Sequence, residues 1–361
     1  MKRIVMLQAL CNNERGWAKV MSRFGRVALV QLEGFKFTEH VEIWENDQCV
    51  SSTPPRPSHF FKYFDEALFG LPMSLNALKR CWPVVKNQRT DLIIASANAM
   101  ALAALFLRAI GKTQKVVCLV SDFFPPQGTL VVRIYRRLVA CYTTWLCKWS
   151  DEVWAVSPRI PTNTANPRTF VVPLSINDEG FVPGLREEII YIGIPSPDHA
   201  LEILFDVCRK HGIRLNIIGE SAYLQTIRRL APPGAVFHGM ISDPASIKAV
   251  SARCFCGYAV YRKTGPHNYS YFGIPTKMLN YIANNTPVIT TDTAHFSQNI
   301  EKFGIGHVVE PQPEAIEKAV MDLQTRHAEF TATISRFRET WNASVEKFHR
   351  ERLEILLKDK A

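Results

Sequence analysis

The sequence predicts an α/β protein of two Rossmann-like, doubly wound domains, and three observations carry that reading. Short runs rich in Val and Ile alternate with helical stretches along the chain, the rhythm of parallel strands joined by crossover helices. The 361 residues are roughly twice what a single hydrophobic core serves. A turn-rich stretch, residues 173–188, divides the chain and coincides with a break in charge: residues 1–170 carry 22 Lys/Arg against 12 Asp/Glu, whereas residues 171–361 carry 21 of each.

The first half reads as strands Ile4–Leu10, Val27–Leu32, Leu92–Ala95, Val116–Val120, Val153–Val156 and Thr169–Val172. Their largely unbroken apolar character suits strands buried on both faces of a parallel sheet. Helices are expected at Ala97–Ile110 and Thr129–Trp149. The stretch 173–188 combines Pro173, Asn177, Asp178, Gly180, Pro183 and Gly184, which is turn chemistry. The second half repeats the scheme. Strands Ile189–Ile192, Leu215–Ile218, Val236–His238, Cys256–Val260 and Val288–Thr291 alternate with helices at 199–211, 221–230, 244–252 and 275–284. From Glu314 onward the pattern is almost purely helical, with Trp341 and Phe348 as the expected anchors.

Composition narrows the class. Apolar residues make up 47% and charged residues 21%, which excludes a disordered chain. The formal charge of +10 resides in the first half, so an anionic partner is expected to meet that half. The nine cysteines are irregularly spaced, with no CxxC and no zinc-like cluster, and read as reduced core thiols of a cytoplasmic protein. The start, MKRIVMLQAL, reads as a buried first strand rather than a signal peptide. The longest apolar stretch, Leu92–Ile110, is interrupted by Ser96, Asn98 and Arg108, so no membrane span is expected.

The most informative segment runs from Tyr271 to Asp292. Gly273 supplies a turn, Pro275 suits the first helical position, and Met278, Tyr281 and Ile282 form an apolar face. Asn284–Asn285 ends the helix, Asn being a usual second choice for the left-handed cap. A helix start with exposed N–H groups and Lys277 in its first turn is a phosphate site in waiting. The same residues also read as an ordinary βαβ unit with a solvated lysine.

This segment resembles the donor-binding signature of GT-B glycosyltransferases of the family 4 type, P-x-K-x-x-E-Y-x-A-x-G-x-P-V. It matches at Pro275, Lys277, Tyr281, Ala283, Pro287 and Val288, and departs at Asn280 and Asn285, where the family has Glu and Gly. PLSINDEGF resembles the family's hinge, and IIYIG, LNIIGE and AVFHG, which reach Gly193, Gly219 and Gly239, resemble its first donor-domain strands. The resemblance implies two domains facing across a cleft. They would be an acceptor domain 1–172, a hinge 173–188, a nucleotide-sugar domain 189–340 and a C-terminal helix 341–361 crossing back to the first domain.

In retaining members two glutamates hold the donor sugar and ribose. Those positions here are Phe272 and Asn280. A Lys followed three residues later by a carboxamide is closer to the inverting glucuronosyltransferase type of xanthan assembly. The resemblance therefore implies an inverting transfer of a sugar, glucuronic acid among the candidates, from a nucleotide donor to a lipid-linked saccharide in bacterial polysaccharide assembly. UDP is the expected nucleotide ahead of GDP, with no cofactor and no metal; the sequence has no DxD triplet. Donor contacts fall to Gly193, Gly219, Gly239, Arg262, Lys263, Tyr271, Pro275, Thr276, Lys277 and Asn280. The cations and the helix start would offset the charge of the leaving diphosphate.

The base expected by this resemblance is Asp122, which follows the strand KVVCLV and is the sole acid between Asp91 and Asp151. Active groups of parallel sheets collect at the carboxyl ends of strands, and one carboxylate suffices to take a proton from an acceptor hydroxyl. Asp122 could equally cap a turn. Glu14, Asp65, Glu66 and His267 are the other candidates.

In Thr129–Trp149, Arg133, Arg136 and Arg137 share one helical stripe, and Ile134, Leu138, Cys141 and Trp145 share another, a pattern suited to an anionic membrane surface. The aromatic run His59–Leu71 lies in the same basic half. Peripheral association with the inner face of the membrane is the resulting expectation, with an ordinary core helix as the alternative. Two other functions stay open: a nucleotide-sugar epimerase or hydrolase on the same fold, and a non-catalytic partner protein that retained the fold. No aromatic–basic nucleic-acid module is present.

Overall fold

The structure is a computed structural model. It describes residues 1–361 apart from 10–13, 33–37, 54–55, 58–70, 122, 124, 126–128, 163–165, 178–185, 242, 263–268 and 359–361. The chain forms two compact units, Met1–Ser175 together with Ala343–Ala361, and Ile176–Asn342.

The first unit is built on β1 (Arg3–Ala9), α1 (Glu14–Met21), β2 (Arg26–Leu32), β3 (Thr38–Glu45), β4 (Gln48–Ser52), β5 (Arg56–Pro57), α2 (Leu71–Val85), β6 (Thr90–Ser96), α3 (Ala97–Ala109), β7 (Thr113–Val120), α4 (Leu130–Trp149), β8 (Glu152–Ala155) and β9 (Thr169–Val171). Its sheet runs β4-β3-β2-β1-β6-β7-β8-β9, with β5 on β3. The strands from β2 to β9 along this order are parallel, and Ile4 to Leu7 of β1 are all buried, as an apolar run covered on both faces requires. The β3–β4 hairpin is antiparallel. It turns at Asn46 and Asp47, whose φ of 47° and 66° are the left-handed pair a two-residue hairpin needs. This hairpin has only a weak sequence signal, because its strands alternate polar and apolar residues and its turn carries no Gly. The sequence expectation also lacks α1 and α2, the second of which contains Pro83.

The second unit comprises β10 (Glu188–Ile192), α5 (Leu201–His211), β11 (Arg214–Ile218), α6 (Ala222–Ile227), β12 (Ala235–Gly239), α7 (Pro244–Ser251), β13 (Cys254–Ala259), α8 (Thr276–Ala283), β14 (Val288–Thr290), α9 (Ser297–Lys302), β15 (Gly306–Val308) and α10 (Pro313–Thr325). All its strands are parallel, in the order β12-β11-β10-β13-β14-β15. This is the doubly wound order, and its direction reverses between β10 and β13. The core beneath is aliphatic and aromatic, including Tyr191, Leu204, Phe205, Phe255, Tyr258 and Ile289. Only short α9 and β15 were missing from the sequence expectation.

The last helix, α11 (His327–Leu357), contributes to both units. Trp341 packs edge-on against Phe296 at 5.4 Å in the second unit, and Phe348 against Trp154 at 5.3 Å in the first. Both expected anchors are only half-buried; the fully covered positions beyond them are Val345, His349 and Leu353, spaced i, i+4, i+8 along one face. Arg352 pairs with buried Glu152 and lies over the Phe170 ring at 3.8 Å, and Glu152 also accepts from Trp154 Nε1 at 3.0 Å. No described helix is long and apolar enough to cross a membrane.

Candidate functional site

The second sheet directs its strand ends toward one site. In open parallel sheets, ligands sit outside the carboxyl ends of the strands where the order reverses, here between β10 and β13. Gly193 follows β10, Gly219 follows β11 and Gly239 closes β12, all at positive φ (130°, 138° and 68°). The Gly193 N–H donates to Ile218 O at 2.9 Å and the Gly219 N–H to Gly239 O at 2.8 Å. A Cβ on Gly219 would come within 1.9 Å of Gly193 O. Gly219 therefore lets neighbouring strand ends pack backbone on backbone, whereas Gly193 faces the Lys277 side chain and Gly239 that of Glu220.

Lys277 lies in the first turn of α8 and is buried despite its charge. Its Nζ stands 3.3 Å from Tyr191 Oη and 3.4 Å from His199 Nε2. It also lies 4.5 Å from the centre of the Tyr191 ring and 5.3 Å from that of Tyr261. A Cβ on Gly193 would sit 3.5 Å from the same nitrogen, so the ammonium is placed directly against the end of β10. No carboxylate among the described residues pairs with it. Burial without a counterion pushes its pKa down to about 7. The solvated lysine that the sequence left open is excluded.

Tyr281, one turn further along α8, fixes this geometry. Its hydroxyl donates to Tyr258 O at 3.0 Å and accepts from the Ile192 N–H at 2.8 Å, tying α8 to β13 and β10 at the reversal point. Its ring lies over Gly257, where a Cβ would approach to 2.3 Å. At the other end, Asn285 adopts a φ of 53° and its Oδ1 accepts from Arg338 at 3.2 Å and Ser335 at 3.1 Å. The departure from Gly at this position is thus accommodated, and the side-chain oxygen gains partners that Gly could not have.

His199 was not singled out in the sequence, although a histidine in the first turn after β10 was the available signal. It is buried, and its Nδ1 lies 2.7 Å from Tyr191 Oη. Burial first, and the charge of Lys277 second, push its pKa down to about 3, so it is neutral. Tyr191 Oη gives its own proton to Ile194 O at 3.1 Å, so the 2.7 Å contact is met by the tautomer that carries its proton on Nδ1 and leaves Nε2 as acceptor.

The other expected donor residues are distributed unequally. Pro275 is the N-cap of α8 rather than its first helical residue, and its carbonyl accepts from the Met278 N–H at 3.0 Å. Thr276 is exposed, and Asn280 lies half-buried one turn on; neither side chain makes a hydrogen bond among the described residues. Tyr271 is half-buried and meets Phe272 edge-on at 5.1 Å. Arg262 is committed elsewhere: it donates to Glu202 at 2.8 Å and to Pro197 O at 3.2 Å, and Tyr223 donates to the same carboxylate. In the empty site Arg262 is thus held in an exposed pair with Glu202. Lys263, Asp122, Asp65, Glu66 and His267 lie outside the described residues, as does most of the run His59–Leu71 and the side chain of Glu14.

In the first unit, α4 departs from the expected pair of stripes. Arg133 and Arg137 are exposed, but Arg136 is half-buried and donates to Pro125 O at 3.1 Å, so it belongs to the fold. The apolar stripe faces solvent, with Ile134 50%, Leu138 51%, Trp145 48% and Trp149 54% exposed, which excludes the core-helix alternative for these residues.

No family model matches the chain, and no curated protein matches it. Among solved structures, sucrose-phosphate synthase from Thermosynechococcus elongatus is similar with a TM-score of 0.69 at 12% identity, covering 98% of this chain and 100% of that one. A trehalose-6-phosphate protein from E. coli, solved with UDP-2-fluoro glucose, gives 0.66 at 11% identity with 99% of each chain covered. A UDP-forming α,α-trehalose-phosphate synthase from Burkholderia xenovorans gives 0.61 at 12%, covering 99% and 100%. At such identities the likeness shows the fold, which is the GT-B fold of two parallel-stranded α/β units.

Proposed function

We propose that the chain is a glycosyltransferase whose second unit holds a nucleotide sugar by its diphosphate at Lys277. The observation that carries this reading is a buried lysine nitrogen with no carboxylate partner among the described residues, set at the strand-order reversal in the first turn of a helix. A buried cation of this kind costs stability unless an anion completes it. The N–H groups at the start of α8 would share the charge that develops on the leaving diphosphate. Asn280, with its amide uncommitted, would take a ribose hydroxyl. The structures similar in fold include a UDP-forming synthase and a protein bound to a UDP-sugar, which supports UDP as the nucleotide.

In the reaction, Asp122 would take the proton of an acceptor hydroxyl as that oxygen attacks the anomeric carbon, and the bond from that carbon to the diphosphate would break. A direct displacement of this kind inverts the sugar. It needs no metal, and the leaving charge falls to Lys277. With Asn280 in place of a glutamate, an inverting enzyme close to the glucuronosyltransferase type is the reading the site favours. The exposed apolar stripe of α4, flanked by Arg133 and Arg137 and containing no acidic residue, supports an acceptor reached at an anionic membrane surface, such as a lipid-linked saccharide. The chain would then work at the inner face of the membrane without spanning it.

The test is a panel of nucleotide sugars scored for thermal stabilisation and then for transfer to lipid-linked saccharides. A ligand at about 100 times its dissociation constant adds about 2.7 kcal/mol of stability. Stabilisation by a UDP-sugar, followed by transfer with inversion, is expected. Hydrolysis or epimerisation without transfer would favour the small-molecule enzyme, and no stabilisation by any nucleotide sugar would overturn the reading.

A further inference from the structure

The groups around Lys277 come from four elements. Tyr191 belongs to β10, His199 to the turn before α5, and Tyr261 follows β13; on α8 itself, Tyr281 is spent on backbone partners. Arg262, which follows β13, is paired with Glu202 on α5. Among the described residues His199 is the one nitrogen base in this shell. It is itself pinned by Tyr191 Oη, 2.7 Å from Nδ1. Tyr191 in turn donates to Ile194 O at 3.1 Å. The imidazole thus has one free direction, toward Nζ.

Resting on the donor-site reading above, we propose that His199 is a positioning residue for Lys277, and that the site takes up a proton as it binds a nucleoside diphosphate. The physical cause is the shell itself. Its described residues offer the lysine aromatic faces and neutral acceptors but no negative charge, so an empty site favours the uncharged amine. A diphosphate brings the missing charge and draws a proton onto the amine. His199 Nε2 holds that ammonium on the side facing the end of β10. The depressed proton affinity of Lys277, about 7 when the site is empty, is consistent with this.

The experiment is calorimetric titration of the full chain with UDP at pH 8, in two buffers of different ionisation enthalpy, repeated for His199→Leu and His199→Gln. At pH 8 an amine titrating near 7 is about nine-tenths uncharged, so uptake close to one proton per UDP is expected. His199→Leu removes the acceptor and should move the pH dependence of UDP affinity to lower pH. His199→Gln restores an acceptor and should return it toward the parent profile. UDP binding with no proton uptake, or a His199→Leu profile that superimposes on the parent, would overturn the proposal while leaving the donor site in place. Failure of the parent to bind UDP, GDP or pyrophosphate would overturn the donor reading itself, and this proposal with it.

Discussion

Replacing Lys277 by Met should make the empty protein more stable and remove its nucleotide binding. Met matches the length of the lysine stem and carries no charge, and the shell of Tyr191, Tyr261 and His199 presents ring surface that a thioether can meet. The magnitude follows from the proton affinity. Burial lowers the Lys277 pKa from 10.5 to about 7, a difference of about 3.5 units, and each unit corresponds to about 1.36 kcal/mol. The ceiling is therefore about 5 kcal/mol. Relaxation around the charge and the two acceptors left behind reduce the expected gain to about 2 kcal/mol. For a unit of this size that is a rise of roughly 4–8 °C in Tm. The sign also depends on pH. The unfolded chain binds the proton up to about 10.5 and the folded one only to about 7, so parent stability rises with pH across that interval, and the Met variant should lose that rise. Calorimetric melting at pH 7 and pH 9, with and without UDP, reads all of this. A Lys277→Met protein that melts below the parent at pH 7 would refute the reasoning, because the ammonium would then be a stabilising group.

Three further outcomes are expected. Asp122→Asn should lower turnover by roughly 10²–10⁴-fold with UDP affinity and Tm unchanged, whereas a turn-capping aspartate would show the loss in Tm. Arg352→Met leaves Glu152, 2% exposed, as a buried carboxylate without its cation, and should cost roughly 3–5 kcal/mol in chemical denaturation of the first unit. His349 is buried between Trp17 and Trp154 with both ring nitrogens unpartnered and its pKa pushed down to about 3. Because the unfolded histidine takes its proton near 6.5, stability should fall as pH drops from about 6.5 toward 3. His349→Phe should flatten that fall, as followed by near-UV circular dichroism.

The sequence disclosed most of this architecture because parallel strands buried on both faces announce themselves as unbroken apolar runs. Ile4–Leu7 and Ile189–Ile192 are such runs, and both belong to central strands. What escaped was whatever depends on partners distant in sequence. The β3–β4 hairpin is half-exposed and turns on Asn46-Asp47, a weaker signal than a turn with Gly. Lys277 was legible as a phosphate ligand from its place at a helix start, but its burial was not, since that comes from Tyr191, Tyr261 and His199. Arg262 illustrates the converse. Its place after β13 looked like a ligand position, yet it pairs with Glu202 on α5, 60 residues upstream. The apolar stripe of α4 was visible by its periodicity. Only the fold shows that it faces solvent, because nothing described packs upon Ile134, Leu138 and Trp145 enough to bury them.

A crystal structure of the full chain with UDP would test the central claim most directly. The account predicts a diphosphate oxygen within hydrogen-bond reach of Lys277 Nζ, about 2.7–3.2 Å, with the ribose on Asn280 and the phosphates against the first turn of α8. UDP bound elsewhere, with Lys277 still enclosed by Tyr191 and His199 and no anion beside it, would contradict it.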